Sequence, residues 1–240
     1  MTSLVTRCLS WIFRSQCAAC GQAVPSGLPF CPPCAGALLE NLVCCPRCAD
    51  LLPGARAVTC LRCLRKPLPL HKIVAPWQYG GALAQAIVRM KFQRRVEIAR
   101  TLAPLVGSVL VATARSIEAT LIVPVPLHWS RRLWRGFDQS RLLLGHMAAS
   151  TPPPCPVASA LVRRRATPYQ SRADAAARAR NVASAIAVAP RWRSRLAGAR
   201  VVLFDDVVTT GATMAACARA LQAAGATQVV GVALARGGSP

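Results

Sequence analysis

Residues 201–214, VVLFDDVVTTGATM, constrain the fold of this chain more than any other segment. Four apolar residues open the segment, as in a strand that is covered on both faces. Asp205 and Asp206 follow this strand, and a Thr- and Gly-rich turn then leads into a helix predicted over 212–224. A buried strand followed by a turn and a helix is typical of a parallel α/β sheet.

The chain after residue 72 alternates between the same two kinds of element. Apolar residues at helical spacing predict further helices over 81–92, about 96–114 and 138–149. Short apolar runs predict strands at 121–123, 160–162, 185–188, 201–204 and 228–234. We therefore expect an α/β domain over residues 73–237, with a mostly parallel sheet flanked by helices.

Residues that can bind a ligand are concentrated just after the strand at 201–204. Parallel sheets bind ligands at the carboxyl ends of their strands, where the two acids stand. Hydroxyls, a glycine and the N–H groups of a helix start make an anion cradle. These groups come from Thr209, Thr210, Gly211, Ala212 and Thr213. We expect the loop to bind a phosphate, and Asp205 and Asp206 to bind sugar hydroxyls or Mg²⁺. An ordinary strand–turn–helix is the alternative, although the combined pattern is much rarer than a lone TTG.

Eight of the twelve cysteines form four CxxC pairs with nearly even gaps between them. A two-residue spacer lets both thiolates of a tight turn bind one ion, and two such turns complete a tetrahedral four-sulfur shell. The pairs are Cys17/Cys20, Cys31/Cys34, Cys45/Cys48 and Cys60/Cys63. We expect two structural zinc ions in a double zinc ribbon over residues 17–66, after an N-terminal segment of residues 1–16. Sequential pairing of the turns is the simplest arrangement, and a crossed pairing is also open.

Disulfides and redox chemistry are the alternatives for these cysteines. A reducing cytoplasm disfavours structural disulfides, and a thioredoxin-type CxxC would be single and would open a helix. Four thiolates leave no open coordination position, so a catalytic zinc is not expected. Cys44 could take the place of Cys45, although the CPRC spacing favours Cys45.

The chain carries 30 Lys and Arg residues against 8 Asp and Glu residues, a net charge of +22. Lys occurs only at Lys66, Lys72 and Lys91, and a GC-rich genome would explain this preference for Arg. It would not explain the shortage of acids. The charge therefore favours a polyanionic partner such as nucleic acid, a phosphorylated metabolite or acidic lipid.

Targeting signals are not evident in the sequence. Arg7 interrupts the mildly apolar N-terminus and no small-residue cleavage site follows it, so we do not expect a signal peptide. The longest apolar run, 102–114, is shorter than the about 20 residues that span a bilayer. We expect a cytoplasmic protein without membrane insertion.

A basic motif follows the strand at 121–123. Residues 123–139, VPVPLHWSRRLWRGFDQ, carry Arg131, Arg132 and Arg135. A Pro-rich turn with three arginines can clamp a pyrophosphate, whereas a basic surface loop is the alternative in so Arg-rich a chain. The stretch 163–180 adds further arginines and is either a mobile lid or a solvated basic helix.

Residues 201–214 resemble the type I phosphoribosyltransferases, which bind 5-phosphoribosyl-1-pyrophosphate (PRPP). The resemblance implies that Asp205 and Asp206 hold the ribose 2′- and 3′-hydroxyls, that the loop 209–213 holds the 5′-phosphate, and that Mg²⁺ accompanies PRPP. In purine-salvage members an Asp of this loop assists at the base. Thr209 stands at that position here, which argues against a purine-salvage enzyme.

Together with the CxxC array and the RGFDQ motif, this segment resembles the ComF family, which is associated with competence for natural DNA uptake. Two further segments fit that family. One contains Tyr79, Gly81, Ile87, Lys91 and Phe92, and the other contains Thr167, Gln170, Ser171, Arg180 and Asn181. The resemblance covers about residues 17–236, and the family often has Asn where this chain has Asp138.

Three functions are compatible with this resemblance. The first is phosphoribosyl transfer to an unknown acceptor, with Asp205, Asp206 and Arg135 as catalytic residues. Arg131, Arg132 and Arg135 would then bind the leaving pyrophosphate with Mg²⁺. The second is a PRPP-binding regulator without catalysis. The third is a protein that binds single-stranded DNA and works with other competence proteins in DNA uptake.

Overall fold

The computed structural model describes residues 16–25, 27–54, 56–127, 133–163 and 185–238. Arg131 and Arg132 of the basic motif lie outside these residues. The same holds for most of the N-terminal segment and for residues 164–184, which include the motif residues from Thr167 to Asn181.

The described elements include most of the predicted ones, together with short helices near the cysteines. The helices are α1 (Pro32–Gly36), α2 (Leu61–Arg65), α3 (Gly81–Phe92), α4 (Ile98–Leu102), α5 (Pro104–Ser116), α6 (Gln139–Ser150) and α7 (Ala212–Ala223). The strands are β1 (Ile73–Val74), β2 (Trp77–Gln78), β3 (Leu121–Pro124), β4 (Leu161–Arg163), β5 (Ile186–Val188), β6 (Arg200–Val208) and β7 (Gln228–Arg236). None of the helices that the structure describes has the length and apolar character required to traverse a bilayer.

Five strands form one sheet in which the described pairings are all parallel. β6 lies between β3 and β7, and β1 and β2 pair with successive parts of β7. The expected mostly parallel α/β sheet is therefore confirmed. The predicted strands at 160–162 and 185–188 correspond to β4 and β5, which pair antiparallel with each other in a separate small sheet.

The helix predicted over about 96–114 is divided into α4 and α5. Ala103, between them, keeps helical dihedral angles of φ −56° and ψ −45°. Pro104 has no N–H group with which to continue the hydrogen-bond ladder, so the helix is interrupted there.

Both faces of β6 are buried, as its run of apolar residues predicts. Successive side chains of a strand point to opposite faces of the sheet. Val202 and Phe204 pack in the core beneath α3, α5 and α6, whereas Val201 and Leu203 pack in the core beneath α7. All four side chains are fully buried.

The CxxC turns form two groups that pack against opposite faces of the sheet. Cluster 1 consists of Cys17, Cys20, Cys31 and Cys34, and cluster 2 consists of Cys45, Cys48, Cys60 and Cys63. Cluster 1 joins the core on the α3 side through Cys17 and its neighbours. Ala49, beside cluster 2, joins the core on the α7 side. The cysteine region is thus packed against the α/β domain on both faces of the sheet.

Candidate functional site

Asp205 and Asp206 lie inside β6 rather than after its end. The sequence predicts a strand over 201–204, but β6 continues past the acids because β7 supplies ladder partners to its last residue. β3 ends opposite Phe204 on the other side. The acids therefore extend beyond the edge of β3, at the carboxyl end of the sheet where α/β proteins bind ligands.

Asp206 is buried, with 2% of its surface exposed, and it forms an ion pair with the Nζ atom of Lys91 in the last turn of α3. A buried carboxylate without such a cation would be strongly unfavourable. Lys91 was not predicted as a residue of this site. The available signal was that Lys91 is one of three lysines in a chain that otherwise uses Arg.

Asp205 has a different environment from its neighbour. Its Oδ1 atom accepts hydrogen bonds from Ser140 Oγ at 3.0 Å and from the N–H of Asp206 at 2.9 Å. Burial and the adjacent charge of Asp206 raise the pKa of Asp205 well above its usual range, while Lys91 and the hydrogen bonds act in the opposite direction. An incoming cation would therefore lower the pKa of Asp205 and favour its ionised form. Ser140 was not predicted as a residue of this site, because nothing in the local sequence distinguishes it from other serines.

The loop 209–213 joins β6 to α7. Gly211 occupies the N-cap position of α7 with φ 77°, a left-handed conformation that glycine adopts without steric cost. Thr209 and Thr210 are exposed, and Thr210 Oγ1 accepts a hydrogen bond from the N–H of Ala212 at 3.3 Å. The first N–H groups of a helix lack partners within that helix. The loop therefore has the donors and the helix-dipole charge that suit an anion.

Arg135 lies between the elements that carry Lys91 and Ser140. Its Nη1 atom donates to Gln139 Oε1 at 3.2 Å, and its guanidinium carbon lies 5.1 Å from the ring centroid of Phe92. Asp138 caps α6, because its Oδ1 atom accepts from the N–H of Arg141 at 3.1 Å. Asn caps helices as well as Asp does, so the departure from the family pattern at this position preserves the cap.

A cavity of about 280 Å³ opens beside the end of β3, close to the lower limit of about 300 Å³ for small-molecule pockets. Its lining includes Asp138 and three cationic side chains, Arg141, Arg163 and Arg191. These arginines make the cavity suited to an anionic group. It borders Pro124, which is paired with the residue directly before the acids.

The cysteine geometry selects sequential pairing from the two arrangements that the sequence allowed. The four sulfur atoms of each cluster lie within 4.8 Å of one another, and Cys44 belongs to neither cluster. The Sγ atoms of Cys20 and Cys31 are 3.7 Å apart, as are those of Cys48 and Cys60. Tetrahedral coordination with Zn–S bonds of about 2.3 Å requires sulfur separations of about 3.8 Å. Each cluster can therefore hold one zinc ion.

Backbone donors favour the thiolate form of Cys45 in cluster 2, whereas burial raises the pKa of Cys48 and Cys63. Burial by itself raises the pKa of Cys45, but hydrogen bonds from the backbone of Cys60, Arg47 and Cys48 outweigh it and lower the pKa to about 7. The N–H of Cys60 lies 3.3 Å from the sulfur of Cys45. Because zinc binds thiolates rather than thiols, this environment suits the metal.

Known proteins resemble this chain over most of its length. Residues 142–240 match the model of the phosphoribosyl transferase domain family. DNA utilization protein YhgH of Salmonella typhi is 38% identical over 221 residues, which cover 89% of this chain and 86% of that protein. YhgH of Escherichia coli is 39% identical over 71% of this chain and 74% of its own length.

A more distant relative carries a different name. Competence protein F of Haemophilus influenzae is 31% identical over 74% of this chain and 78% of its own length. Among solved structures, the allosteric regulatory enzyme of purine biosynthesis aligns with 57% of this chain and 26% of its own, at 21% identity and a TM-score of 0.37. Because relatives above 30% identity extend over most of both sequences, this chain belongs to the ComF family.

Proposed function

We propose that this protein binds PRPP together with Mg²⁺ at the carboxyl end of β6 and acts in DNA uptake during natural transformation. The main support for this binding site is that Asp205 and Asp206 lie on one strand directly before the loop 209–213. The match to the phosphoribosyl transferase domain includes all of these residues. The names of the relatives, DNA utilization protein and competence protein, support the role in DNA uptake.

Each part of the site has a partner in the proposed ligand. The loop binds the 5′-phosphate through the N–H groups at the start of α7 and the hydroxyls of Thr209, Thr210 and Thr213. Asp205 and Asp206 accept hydrogen bonds from the two ribose hydroxyls. Mg²⁺, when bound with PRPP, supplies positive charge at the pyrophosphate. The ammonium group of Lys91 forms an ion pair with Asp206 and compensates the charge of its buried carboxylate.

We further propose that bound PRPP is a substrate. The bond between C1′ and the pyrophosphate oxygen breaks, the acceptor forms a bond to C1′, and pyrophosphate leaves with the bonding electrons. Arg135, with Arg131 and Arg132, stabilises the charge that develops on the leaving group. Thr209 cannot act as a general base toward the acceptor, as a carboxylate at this position could, so the proton that the acceptor loses passes to water. A nitrogenous acceptor that is already nucleophilic fits this loop best.

A regulator that binds PRPP without turnover is the alternative use of the same pocket. Release of pyrophosphate in the presence of candidate nitrogenous acceptors separates the two. Continuous release supports transfer, whereas saturable binding without release supports regulation.

The binding site itself is tested by a thermal shift. PRPP with Mg²⁺ should raise the melting temperature of the wild-type protein. The Asp205→Asn/Asp206→Asn double variant should show no such rise, because it cannot hold the ribose hydroxyls and Mg²⁺ with carboxylates. Glu118→Gln removes an exposed acid instead and serves as the control. A full shift in the double variant would reject the assignment.

Binding of single-stranded DNA is a second candidate function, favoured by an exposed aromatic pair. Phe92 and Trp134 are 53% and 57% exposed, and their rings meet edge to face at 5.9 Å. Arg135 lies against Phe92, and Arg94 Nη2 donates to the Trp134 carbonyl at 2.6 Å. Exposed aromatic rings beside arginines are the usual platform on which bases of a single strand stack.

We propose that the protein acts in the cytoplasm. Reducing conditions there keep the eight paired cysteines available as zinc ligands. Single-stranded DNA and the proteins that deliver it are the proposed macromolecular partners. The net charge of +22 supports a polyanionic partner.

A further inference from the structure

The carboxyl end of β7 contacts the backbone of the loop 209–213, the phosphate loop. Arg236 is the last residue of β7, is only 3% exposed, and donates from Nη1 to the carbonyl of Thr209. The N–H of Gly237 donates to the carbonyl of Val208 at 2.8 Å. In a planar trans peptide the C=O and N–H bonds point in opposite directions. The N–H groups of Thr209 and Thr210 are therefore turned away from β7.

Arg236 is in turn held by the chain that surrounds cluster 2. The Oδ1 atom of Asp50, two residues after Cys48, lies 2.9 Å from Nη2 of Arg236 in an ion pair and accepts a hydrogen bond from Nε at 3.2 Å. The Oδ2 atom of Asp50 lies 3.4 Å from Nη2 of Arg62, and that nitrogen lies 3.4 Å from the sulfur of Cys48. Polar contacts thus connect a sulfur of cluster 2 to a carbonyl of the phosphate loop.

An apolar contact connects the same two regions. Leu68 packs both against cluster 2 and against the core beneath α7. A Cβ atom at Gly211 would lie 3.2 Å from Cδ1 of Leu68, so the loop backbone passes directly over this side chain. The region of cluster 2 is therefore linked to the loop at two positions, to Thr209 through Arg236 and to Gly211 through Leu68.

Cluster 1 contacts a different part of the protein. Nη1 of Arg89, on α3, donates to the carbonyls of Cys17 at 2.7 Å and Ala18 at 3.0 Å. Cluster 1 is thus attached to α3, on the opposite face of the sheet from the core that Leu68 joins. This difference makes cluster 1 an internal reference for effects that pass through cluster 2.

We propose that Arg236 and Asp50 are positioning residues for the phosphate loop, and that zinc in cluster 2 sets, through them, the affinity of the loop for a sugar 5-phosphate. This inference rests on the proposed function. With zinc bound, the cysteine turns of cluster 2 are fixed, so Asp50 is held against Arg236 and Leu68 against the loop. Because coupling between two binding sites is reciprocal, a ligand with a 5-phosphate must strengthen zinc binding in cluster 2 by the same factor.

The first test uses ribose 5-phosphate as the probe and calorimetry as the measurement. Asp50→Asn and Arg236→Lys should each weaken its binding at least about fivefold, the lower end of typical coupling between sites. Elemental analysis should still find a zinc ion for each of the two clusters. Arg200→Lys is the matched control, because Arg200 pairs with Glu118 at the same 2.9 Å but at the opposite end of β6. The inference would be overturned if Asp50→Asn and Arg236→Lys bound ribose 5-phosphate as tightly as Arg200→Lys does.

The second test needs no variant and uses the full-length protein. Zinc is competed away with a chromogenic chelator, with and without saturating ribose 5-phosphate. Cluster 2 should bind zinc at least about fivefold more tightly in the presence of the sugar phosphate, and cluster 1 should be unchanged. A pair of residues with a purely structural role would not make zinc affinity depend on this ligand. Unchanged zinc affinity at both clusters would overturn the inference, even if the variants fail to fold.

Different results would contradict the proposed function and the inference about cluster 2. A wild-type protein that binds neither ribose 5-phosphate nor PRPP would remove the proposed function, and this inference with it. A wild-type protein that binds both, with no response in the variants or in zinc affinity, would remove this inference alone.

Discussion

Lys91 of α3 forms an ion pair with the carboxylate of Asp206 in β6. The lysine side chain is 15% exposed and the aspartate side chain 3%, so both charges are largely removed from water and depend on each other for compensation. Arg89, two residues earlier on α3, donates to the backbone of cluster 1. Residues two apart on a helix do not face each other, so Arg89 and Lys91 make these two contacts from different sides of α3.

Removing the cation of this ion pair should destabilise the folded protein. Lys91→Met leaves the buried carboxylate of Asp206 without its partner and should lower the free energy of unfolding by about 3 kcal/mol or more. Lys72→Met, at an exposed lysine, should change it by no more than about 0.5 kcal/mol. Urea denaturation measures both. Similar stability of the two variants would show that the pair contributes little.

Asp205→Asn should stabilise the unliganded protein at neutral pH. The raised pKa of Asp205 means that, above the ordinary aspartate pKa, the unfolded chain releases a proton that the folded chain retains. The wild-type protein therefore loses stability as pH rises from that value to the pKa in the folded state. The variant has no such loss, and its advantage in melting temperature should grow from pH 4 to pH 8. An advantage that is absent or shrinks with pH would contradict the raised pKa of Asp205.

Zinc content should follow the sequential pairing of the clusters. Cys17→Ser/Cys31→Ser removes two ligands of cluster 1 and should lose one zinc ion per chain, whereas Cys17→Ser/Cys45→Ser affects both clusters and should lose both ions. Cys155→Ser, outside the clusters, should retain both. Elemental analysis of the purified variants checks these values. Equal zinc content in the two double variants would be inconsistent with this pairing.

The aromatic pair should contribute to binding of single-stranded DNA. Trp134→Ala should weaken binding of an oligothymidylate about tenfold, within the range expected for one stacked base. Leu133→Ala changes the adjacent, 72% exposed apolar residue and should have little effect. Fluorescence anisotropy at a fixed salt concentration measures both affinities. An equal loss in the two variants would argue against stacking.

Local patterns predicted most of the elements correctly and failed where distant residues were involved. The strand at 201–204 was placed correctly, but its continuation through Asp205 and Asp206 depends on β7, which follows after α7. The antiparallel pairing of β4 with β5 likewise depends on residues on either side of a long intervening segment. The break at Pro104 is different, because the missing N–H of proline was available from the sequence.

The sequence alone determined the class of fold and the eight cysteines that can bind metal, and it predicted the acids and loop of the candidate sugar-phosphate site, because each of these depends on residues close together in the chain. The tertiary structure decided which CxxC turns share a cluster, that Lys91 and Ser140 contact the two acids, and that Asp50 contacts Arg236 across 186 positions of sequence. Such contacts arise from the packing of helices and cysteine turns against the sheet. No local spacing encodes them, because the two partners meet only after the sheet has brought distant segments together.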